Sequence, residues 1–452
     1  MHVDVGKDMK YSSTLFQDKF HSGKRGRTMN IGTSLVLFVL TSLLLLSTFT
    51  FYFLNSPNPL SLLLNQGHNI IENHSQNQDQ HVQTIKVTSS KPLKEEKKCD
   101  LFKGDWVRSL EGLSSYYTNS SCKTIPDSKN CFKQGRKDTD FLNWKWKPHE
   151  CDLPRFDPSI FLTMVRGKKM AFIGDSVARN HVDSLICILS QEEIPKNIYK
   201  DSEDRYRKWY FPKYDFTLKM IWSRFLIVGE ERIVNGSGTS IFDMQLDKID
   251  IDWAKEFPYL DYAIISDGHW FFRVMYLHMK GKLVGCLFCQ EQNVKNYNSD
   301  YPFRMAFRTA FKHINTCNKC RKTLTLIRTF APAHFENGGW NNGGYCNKTS
   351  PMNEGDVNYG SFEWQLRNIQ MEEFKRARNE GKKKGQRFEV IDVSRAMLMR
   401  PDGHPGEHWG NKWMKGYNDC THWCMPGPID LWSQFLLSVL KTSSYDPTRL
   451  TS

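Results

Sequence analysis

The stretch Lys168-Lys-Met-Ala-Phe-Ile-Gly-Asp-Ser-Val-Ala-Arg-Asn180 decides the fold of this chain. Its apolar run at 170–173 predicts a short buried strand, and Gly174 permits a sharp turn. Apolar residues then recur at helical spacing over 177–190. A strand, a tight turn and a helix place Ser176 at the helix N-terminus, where free backbone amides and the helix dipole can stabilise an oxyanion. The alternative is that Ser176 simply caps the helix.

A second motif, Asp419-Cys-Thr-His422, lies near the C-terminus. A serine hydroxyl is a weak nucleophile that needs an imidazole base, and the base needs a third group to orient it. The pattern predicts acyl transfer or ester hydrolysis with Ser176 as nucleophile, His422 as base and Asp419 as its partner on one helical turn. His404 is the rival for the base, or else it lines the acceptor groove or braces a turn.

The rest of the body favours an α/β fold. Further strands are predicted at 262–266, 323–328 and 388–393, and a helix at 362–377. Short apolar runs that alternate with helices predict a parallel sheet flanked by helices. Residues 201–260 are aromatic and irregular, and we expect them to form an additional lobe beside the cleft.

The N-terminal region predicts a membrane anchor. Residues 31–54 carry no charge and are long enough to span a bilayer, and basic residues precede them. The positive-inside rule then predicts type II topology, with a cytoplasmic tail at 1–30 and a single transmembrane signal anchor at 31–54. The polar residues 55–98 predict a disordered lumenal stem, and residues 99–452 a lumenal catalytic domain.

Two further patterns agree with a lumenal body. Four N-glycosylation motifs follow the anchor, at Asn73, Asn119, Asn235 and Asn347, and so do all twelve cysteines. An even number of cysteines in this compartment favours disulfides. The pairs Cys286/Cys289 and Cys317/Cys320 could also suggest zinc, but their separation exceeds the common spacing, so disulfides are favoured and no metal site is predicted.

Composition adds less about the partner. The net charge of +13 suits an acidic polymer or a membrane surface without requiring either, and a lumenal location excludes nucleic acid. Thirteen tryptophans are many, and some are candidates to stack on sugar rings, although most are expected in the core. The candidates near glycine, proline or motif segments are Trp209, Trp270, Trp340, Trp409 and Trp423.

Three stretches together resemble a known family. They read Phe-Leu-Asn-Trp-Lys-Trp-Lys-Pro-His-Glu-Cys-Asp-Leu-Pro-Arg-Phe at 141–156, Arg-Gly-Lys-Lys-Met-Ala-Phe-Ile-Gly-Asp-Ser-Val-Ala-Arg-Asn at 166–180, and Asp-Cys-Thr-His-Trp-Cys-Met-Pro-Gly at 419–427. From Cys99 to about Leu440 the chain is similar to the plant trichome birefringence-like family of polysaccharide O-acetyltransferases. The resemblance implies an SGNH/GDSL-like fold and a Golgi type II enzyme that acetylates cell-wall polysaccharides through an acyl-serine intermediate.

The resemblance also implies site residues and pairings. Ser176, His422 and Asp419 keep the roles given above, and four disulfides are implied: Cys99–Cys151, Cys122–Cys187, Cys131–Cys424 and Cys346–Cys420. Candidates for substrate binding or the oxyanion hole are Gly174, Asp175, Arg179, Asn180, Gly268, His269 and Trp270. The expected partners are the polysaccharide, an acetyl donor (acetyl-CoA or another lumenal acetyl carrier), the Golgi membrane and other Golgi polysaccharide-synthesis proteins. No bound cofactor is expected.

One departure bears on the subfamily. The family pattern Asn-Thr-Gly-His-Trp reads Ser266-Asp-Gly-His-Trp270 here, so the amide donor at the first position is missing. This variant, with Phe271-Phe-Arg273 and the four extra cysteines, looks most like the branch that acetylates xyloglucan side-chain galactose. Acceptors such as xylan, mannan or pectin, an acetylesterase with the same triad, and a non-catalytic polysaccharide-binding protein stay open as alternatives.

Overall fold

The computed structural model describes residues 99–109, 115–320, 322–410 and 416–444. The predicted cytoplasmic tail, anchor and nearly all of the stem, together with Asn73, lie outside these ranges. Within the described ranges, no helix is both long and apolar enough to cross a bilayer.

The described residues form three sheets and seven α-helices. The strands are β1 (Gly104–Arg108), β2 (Trp144–Pro148), β3 (Lys169–Gly174), β4 (Lys196–Lys200), β5 (Tyr206–Phe211), β6 (Phe216–Trp222), β7 (Ile227–Val234), β8 (Ser237–Ile249), β9 (Tyr262–Ser266), β10 (Met275–Met279), β11 (Lys282–Leu287), β12 (Leu324–Arg328) and β13 (Arg387–Ile391). The helices are α1 (Pro158–Met164), α2 (Ser176–Leu189), α3 (Ile251–Ala254), α4 (Asp300–Thr316), α5 (Phe362–Lys382), α6 (Ser394–Leu398) and α7 (Asp430–Ser444).

The main sheet has seven strands in the order β13-β12-β9-β3-β6-β5-β4. Strands β13, β12, β9, β3 and β6 run parallel, and the antiparallel strands β5 and β4 extend the sheet beyond β6. The carboxyl ends of the parallel strands therefore meet at one edge, where α/β proteins place their ligands. The prediction of a parallel-rich sheet flanked by helices is confirmed.

The alternation of side chains along β3 explains the layers. Met170 and Phe172 point into one core with α1, α2 and α7, whereas Ala171 and Ile173 point into a second core with α4 and α5. All four residues are fully buried. A parallel strand that is covered on both faces must be apolar on both faces, and this requirement produces the continuous apolar run in the sequence.

Residues 201–260 differ from the sequence prediction. They are regular rather than irregular, since they contain β5, β6, β7, β8 and α3, and β5 and β6 belong to the main sheet. The remaining strands join a four-stranded sheet in the order β11-β10-β8-β7. This second sheet buries Phe242, Met244 and Leu277 against the same core as α4. The lobe is thus built from 227–249 and 275–287 and not from 201–260.

Disulfides tie distant segments together. The structure contains the four pairs that the family resemblance implies, Cys99–Cys151, Cys122–Cys187, Cys131–Cys424 and Cys346–Cys420. Cys286 pairs with Cys289 and Cys317 with Cys320, so each short motif closes on itself and does not form a shared metal site. Cys131–Cys424 and Cys346–Cys420 hold the segment that contains Asp419 and His422.

The glycosylation motifs within the described residues lie at the surface. Asn119, Asn235 and Asn347 are all exposed. An exposed asparagine is accessible to a bulky glycan, so glycosylation at these three positions stays a prediction that the fold accommodates.

We expect Gly174→Ala to destabilise the fold strongly. Gly174 has a φ of +150°, and a Cβ there would lie 1.7 Å from the carbonyl oxygen of Ser266. The overlap should lower the free energy of unfolding by about 3 kcal/mol, because backbone at the centre of a sheet cannot move to relieve it. Gly355→Ala is the matched control, since a Cβ there meets nothing within 4 Å. Thermal unfolding midpoints test this, and equal midpoints for the two variants would contradict it.

Asp430 should make stability depend on pH. Burial raises its pKa from 3.8 to about 6, against hydrogen bonds from Ser184 and Tyr117 that lower it. The folded chain therefore holds the proton more tightly than the unfolded chain, and stability should fall as pH rises from about 4 to about 6. The parent chain should lose about 2 kcal/mol of unfolding free energy over this pH range, and Asp430→Asn should not show this loss. Unfolding curves at both pH values test this, and an unchanged pH dependence in the variant would refute it.

Candidate active site

The turn between β3 and α2 presents Ser176. Asp175 is the N-cap of α2, and its Oδ1 accepts the backbone N–H groups of Val177 (2.9 Å) and Ala178 (3.4 Å). Ser176 is the first helical residue, and its own N–H is among those that cannot pair within the helix. The alternative in which Ser176 caps the helix is therefore wrong, and its hydroxyl is available for other partners.

Ser176, His422 and Asp419 form one hydrogen-bonded row. The Ser176 Oγ lies 2.8 Å from Nε2 of His422, and Nδ1 of His422 lies 2.8 Å from Oδ2 of Asp419. The His422 side chain is 22% exposed and that of Asp419 only 6%. A base within hydrogen-bond reach of a serine, with a carboxylate that fixes its tautomer, has the geometry of an activated nucleophile.

The link between Asp419 and His422 is a turn and not the predicted turn of helix. Oδ1 of Asp419 accepts the backbone N–H groups of Thr421 (3.1 Å) and His422 (2.9 Å). This is an Asx-type turn, which brings the two side chains together as a helical turn would. Burial acts to raise the pKa of Asp419, but the attraction of His422 and its hydrogen bonds outweigh burial and hold that pKa well below 3.8. The carboxylate is therefore ionised.

The segment that carries His422 is bound to α2 and to its own neighbours. Asn180 is fully buried, accepts the N–H of Trp423 at 2.8 Å and donates to its carbonyl oxygen at 3.3 Å. Both ends of its amide thus hold the residue next to the base, and this contact replaces the predicted role of Asn180 in the oxyanion hole or in substrate binding. The disulfides of Cys420 and Cys424 fix the same segment on either side of His422.

His404 braces the base and does not compete with it. Its Nδ1–H donates to the carbonyl oxygen of His422 at 2.7 Å, and its Nε2 lies 2.7 Å from Nδ1 of His334. Burial, with the neighbouring His334, keeps the pKa of His404 well below 6.5. Both of its nitrogens are thus engaged away from Ser176, and the structure shows His404 in the bracing role.

Asp175 and His269 connect the serine turn to the end of β9. Oδ2 of Asp175 accepts the backbone N–H of His269 at 3.0 Å and lies 3.2 Å from Nδ1 of the His269 ring. The other ring nitrogen of His269, Nε2, lies 2.9 Å from the carbonyl oxygen of Ala331. The His269 side chain is 7% exposed and stacks on Phe330. Burial acts to raise the pKa of Asp175, but the charge and hydrogen bonds of His269 outweigh burial and hold that pKa well below 3.8. The carboxylate is therefore ionised. Asp175 and His269 thus position the serine turn, and their predicted part in substrate binding or the oxyanion hole stays a prediction.

Gly174, Gly268 and Arg179 also have positioning roles. Gly174 and Gly268 are glycines because a Cβ at Gly174 would overlap Ser266 and one at Gly268 would overlap Phe303 and Phe330. The guanidinium of Arg179 forms an ion pair with Asp204 at 3.2 Å, so it holds the loop before β5. The predicted part of these three residues in substrate binding or the oxyanion hole stays a prediction.

Ser266, which departs from the family pattern, is bound by Arg328, a residue that the sequence did not single out. Nε of the fully buried Arg328 donates to Oγ of Ser266 at 2.8 Å, and Nη1 donates to the carbonyl oxygen of Thr329. Ser266 therefore accepts hydrogen bonds from the guanidinium of Arg328. Burial raises the pKa of the adjacent Asp267 well above 3.8, with a further contribution from the charge of Asp175. The available signal was the position of Arg328 at the carboxyl end of a parallel strand.

The tryptophan candidates divide by burial. Trp209 and Trp423 lie in the core, as most were expected to. Trp409 donates its Nε1–H to Tyr417. Trp340 is 45% exposed, and the half-buried Trp270 contacts Trp222, a residue at the end of β6 that sequence analysis did not select.

Comparison with known proteins identifies the family. Residues 153–439 match the model of the GDSL/SGNH-like acyl-esterase family found in Pmr5 and Cas1p, and residues 97–152 match the PMR5 N-terminal domain. The chain therefore belongs to the GDSL/SGNH-like acyl-esterase family, in its trichome birefringence-like group. The resemblance drawn from the three sequence stretches is confirmed.

Three curated relatives named as xyloglucan O-acetyltransferases cover 89–96% of the chain, and a fourth relative covers less. Xyloglucan O-acetyltransferase 4 of Populus trichocarpa is 55% identical over 93% of this chain and 96% of its own length. Xyloglucan O-acetyltransferase 3 of the same species is 53% identical over 89% and 96%, and xyloglucan O-acetyltransferase 2 of Arabidopsis thaliana 48% over 96% and 99%. The trichome birefringence-like protein 20 of Arabidopsis thaliana is 43% identical over 76% and 72%.

We expect an organophosphonate that labels activated serines to modify Ser176. His422→Ala should slow labelling by roughly 100-fold or more, because the hydroxyl then keeps its proton. Ser190→Ala is the matched control, since Ser190 lies at the other end of α2 with its hydroxyl bound to Ile186. Mass spectrometry of the labelled peptide tests this. Equal labelling of His422→Ala and the parent chain would show that the row of hydrogen bonds does not activate the serine.

Proposed function

We propose that this protein is a xyloglucan O-acetyltransferase that works by double displacement through an acetyl-serine intermediate. The proposal rests on one observation above all, the hydrogen-bonded row Ser176–His422–Asp419 in a chain whose relatives at 48–55% identity are named xyloglucan O-acetyltransferases. The acceptor is most specifically a hydroxyl of the side-chain galactose.

The first half-reaction loads the enzyme. Oγ of Ser176 attacks the acetyl carbonyl of the donor while Nε2 of His422 takes the hydroxyl proton. The N-terminal end of α2, including the N–H of Ser176, stabilises the negative charge that develops on the carbonyl oxygen. His422 then gives its proton to the departing group, and the acetyl group stays on Ser176.

The second half-reaction delivers the acetyl group to the sugar. Nε2 of His422 takes the proton of the acceptor hydroxyl, whose oxygen attacks the acetyl-serine carbonyl. The bond to Oγ of Ser176 breaks, and His422 returns the proton to that oxygen. Asp419 keeps Nδ1 of His422 protonated through both steps, so that Nε2 is always the nitrogen that accepts. The roles are those of nucleophile, base and orienting carboxylate.

The proposal extends to location and donor. Residues 31–54 and the basic residues before them support a single-pass type II membrane protein with a lumenal catalytic domain, and the family resemblance supports the Golgi as its membrane. The reaction needs an acetyl donor, acetyl-CoA or another lumenal acetyl carrier, and no bound cofactor has a part in it.

Acetyl transfer by the purified full-length chain tests the proposal. With an acetyl donor and oligosaccharides of xyloglucan, xylan, mannan and pectin, we expect a gain in mass by one acetyl group on xyloglucan. Ser176→Ala and His422→Ala should each lower the rate by about 10³-fold or more. Asp419→Asn should also be severe, because the imidazole loses its orienting charge.

The controls and contrary outcomes are specific. His149→Ala and Asp356→Asn change the same residue types at exposed positions and should leave the rate unaltered. Full transfer by Ser176→Ala would refute the acetyl-serine route. Release of acetate from acetylated oligosaccharides without any transfer would make the protein an acetylesterase, and a gain in mass on another polymer alone would overturn the acceptor.

A further inference from the structure

An arginine–tryptophan cluster lies beside the serine turn. We use this name for Trp222, Arg224, Trp270, Arg273 and Trp340. Trp222 pairs with Gly174 in the main sheet, and the next residue, Ser223, donates its N–H to the carbonyl oxygen of Gly174 at 2.9 Å. The cluster therefore begins at the same strand edge as the nucleophile and continues to the exposed Trp340.

Aromatic rings hold two guanidinium groups in this cluster. The guanidinium carbon of Arg224 lies 5.1 Å from the ring centre of Trp270 and 5.7 Å from that of Phe242. The guanidinium carbon of Arg273 lies 4.5 Å from the ring centre of Trp270 and 5.3 Å from that of Trp340. Such contacts fix the direction of an arginine without neutralising its charge.

Arg224 has no carboxylate partner of its own among the described residues. Its half-buried guanidinium makes no ion pair or hydrogen bond there, and its Nε is buried without an acceptor. The nearby carboxylate of Glu203 is paired with Arg205 at 2.7 Å, and that of Glu231 accepts the N–H of Ser240. A partly desolvated cation with no counter-ion among the described residues is favourably placed to pair with an anionic group from outside the chain.

A second buried donor lies in the same place. Nε1 of Trp222 is buried and has no acceptor among the described residues, while its ring meets that of Trp270 edge to face at 6.5 Å. The unpaired donors of Trp222 and Arg224 both lie against the ring of Trp270, so one acceptor-rich group from outside the chain can reach both.

We infer that Arg224, with Trp222 beside it, binds the anionic phosphate portion of the acetyl donor. This inference rests on the proposed function, because it gives the donor a binding site next to Ser176. A phosphate offers several charged acceptors to a planar donor group, whereas a neutral glucan offers only uncharged hydroxyls to the guanidinium.

Equilibrium binding of coenzyme A to the full-length chain tests the inference. Ser176→Ala serves as the background, so that binding is measured without turnover. Arg224→Gln in that background should weaken binding of coenzyme A by about tenfold or more, and Arg224→Lys by less, because the charge is kept but the planar group is lost. Binding should weaken as sodium chloride is raised.

Two controls isolate the charge. Arg232 also lies over an aromatic ring, that of Tyr276 at 3.8 Å, but it is paired with Asp243 at 2.7 Å. Arg232→Gln should therefore leave the binding of coenzyme A unchanged. Pantetheine lacks the phosphates, so its binding should be equally weak with Arg224 or Gln at this position. Unfolding midpoints show whether each variant is folded, and the salt dependence in the parent chain stands whether or not Arg224→Gln folds.

The outcomes separate this inference from the proposed function. Equal binding of coenzyme A by Arg224→Gln and its background, or salt-independent binding, would overturn the inference. So would preference for polygalacturonate over coenzyme A, which would make the site one for an acidic polymer. If the parent chain transfers acetyl from a neutral ester to xyloglucan but does not bind coenzyme A, the function stands and the inference fails. If coenzyme A binds through Arg224 but no acetyl group is transferred, the inference stands and the proposed function fails.

Discussion

The buried carboxylate of Asp175 holds together the elements on which the active site depends. One of its oxygens caps α2 through the N–H groups of Val177 and Ala178, and the other accepts the backbone N–H and faces the ring of His269. A single ionised group thus fixes the helix that carries Ser176 against the end of β9. Since an uncompensated buried charge is costly, each of these donors is needed, and the turn has little freedom to rearrange.

The catalytic base is held by a different kind of constraint. His422 lies on a loop and not on a helix or strand, so its position depends on contacts made by its neighbours. Asn180 binds the backbone of Trp423, His404 binds the carbonyl oxygen of His422, and two disulfides hold the segment on either side. The cysteines of these disulfides and Asn180 therefore support the chemistry without contact with the reacting atoms.

The buried parallel strands could be predicted from the sequence because each one is a continuous local run of apolar residues. The apolar run at 170–173 became β3, and the strands predicted at 262–266, 323–328 and 388–393 became β9, β12 and β13, because strands buried on both faces need continuous apolar residues. The strands β4 to β8 were missed, although Phe242, Met244 and Leu246 of β8 alternate with polar residues in the local pattern of a half-buried strand. The three residues of the triad were found because their chemistry is unusual in combination.

The contacts of the remaining site residues could not be predicted from the sequence, for a related reason. His269 and Asn180 were expected at the substrate, but their partners, Ala331 and Trp423, are far away in the sequence and appear only when the chain is folded. Arg224 shows the reverse case. Nothing in its sequence neighbourhood marks it, and its significance comes from the absence of a carboxylate partner among the described residues. Buried side-chain partners of this kind are a property of the tertiary structure.

The central claim is that Ser176 carries the acetyl group between donor and sugar. The most direct measurement is the intact mass of the full-length chain after mixing with donor alone and again after adding xyloglucan oligosaccharide. We expect the chain to gain the mass of one acetyl group, mapped to Ser176, with donor alone, and to lose that group to the oligosaccharide once it is added. An unmodified enzyme that still acetylates the oligosaccharide at full rate, or an adduct on another residue that is transferred, would contradict it.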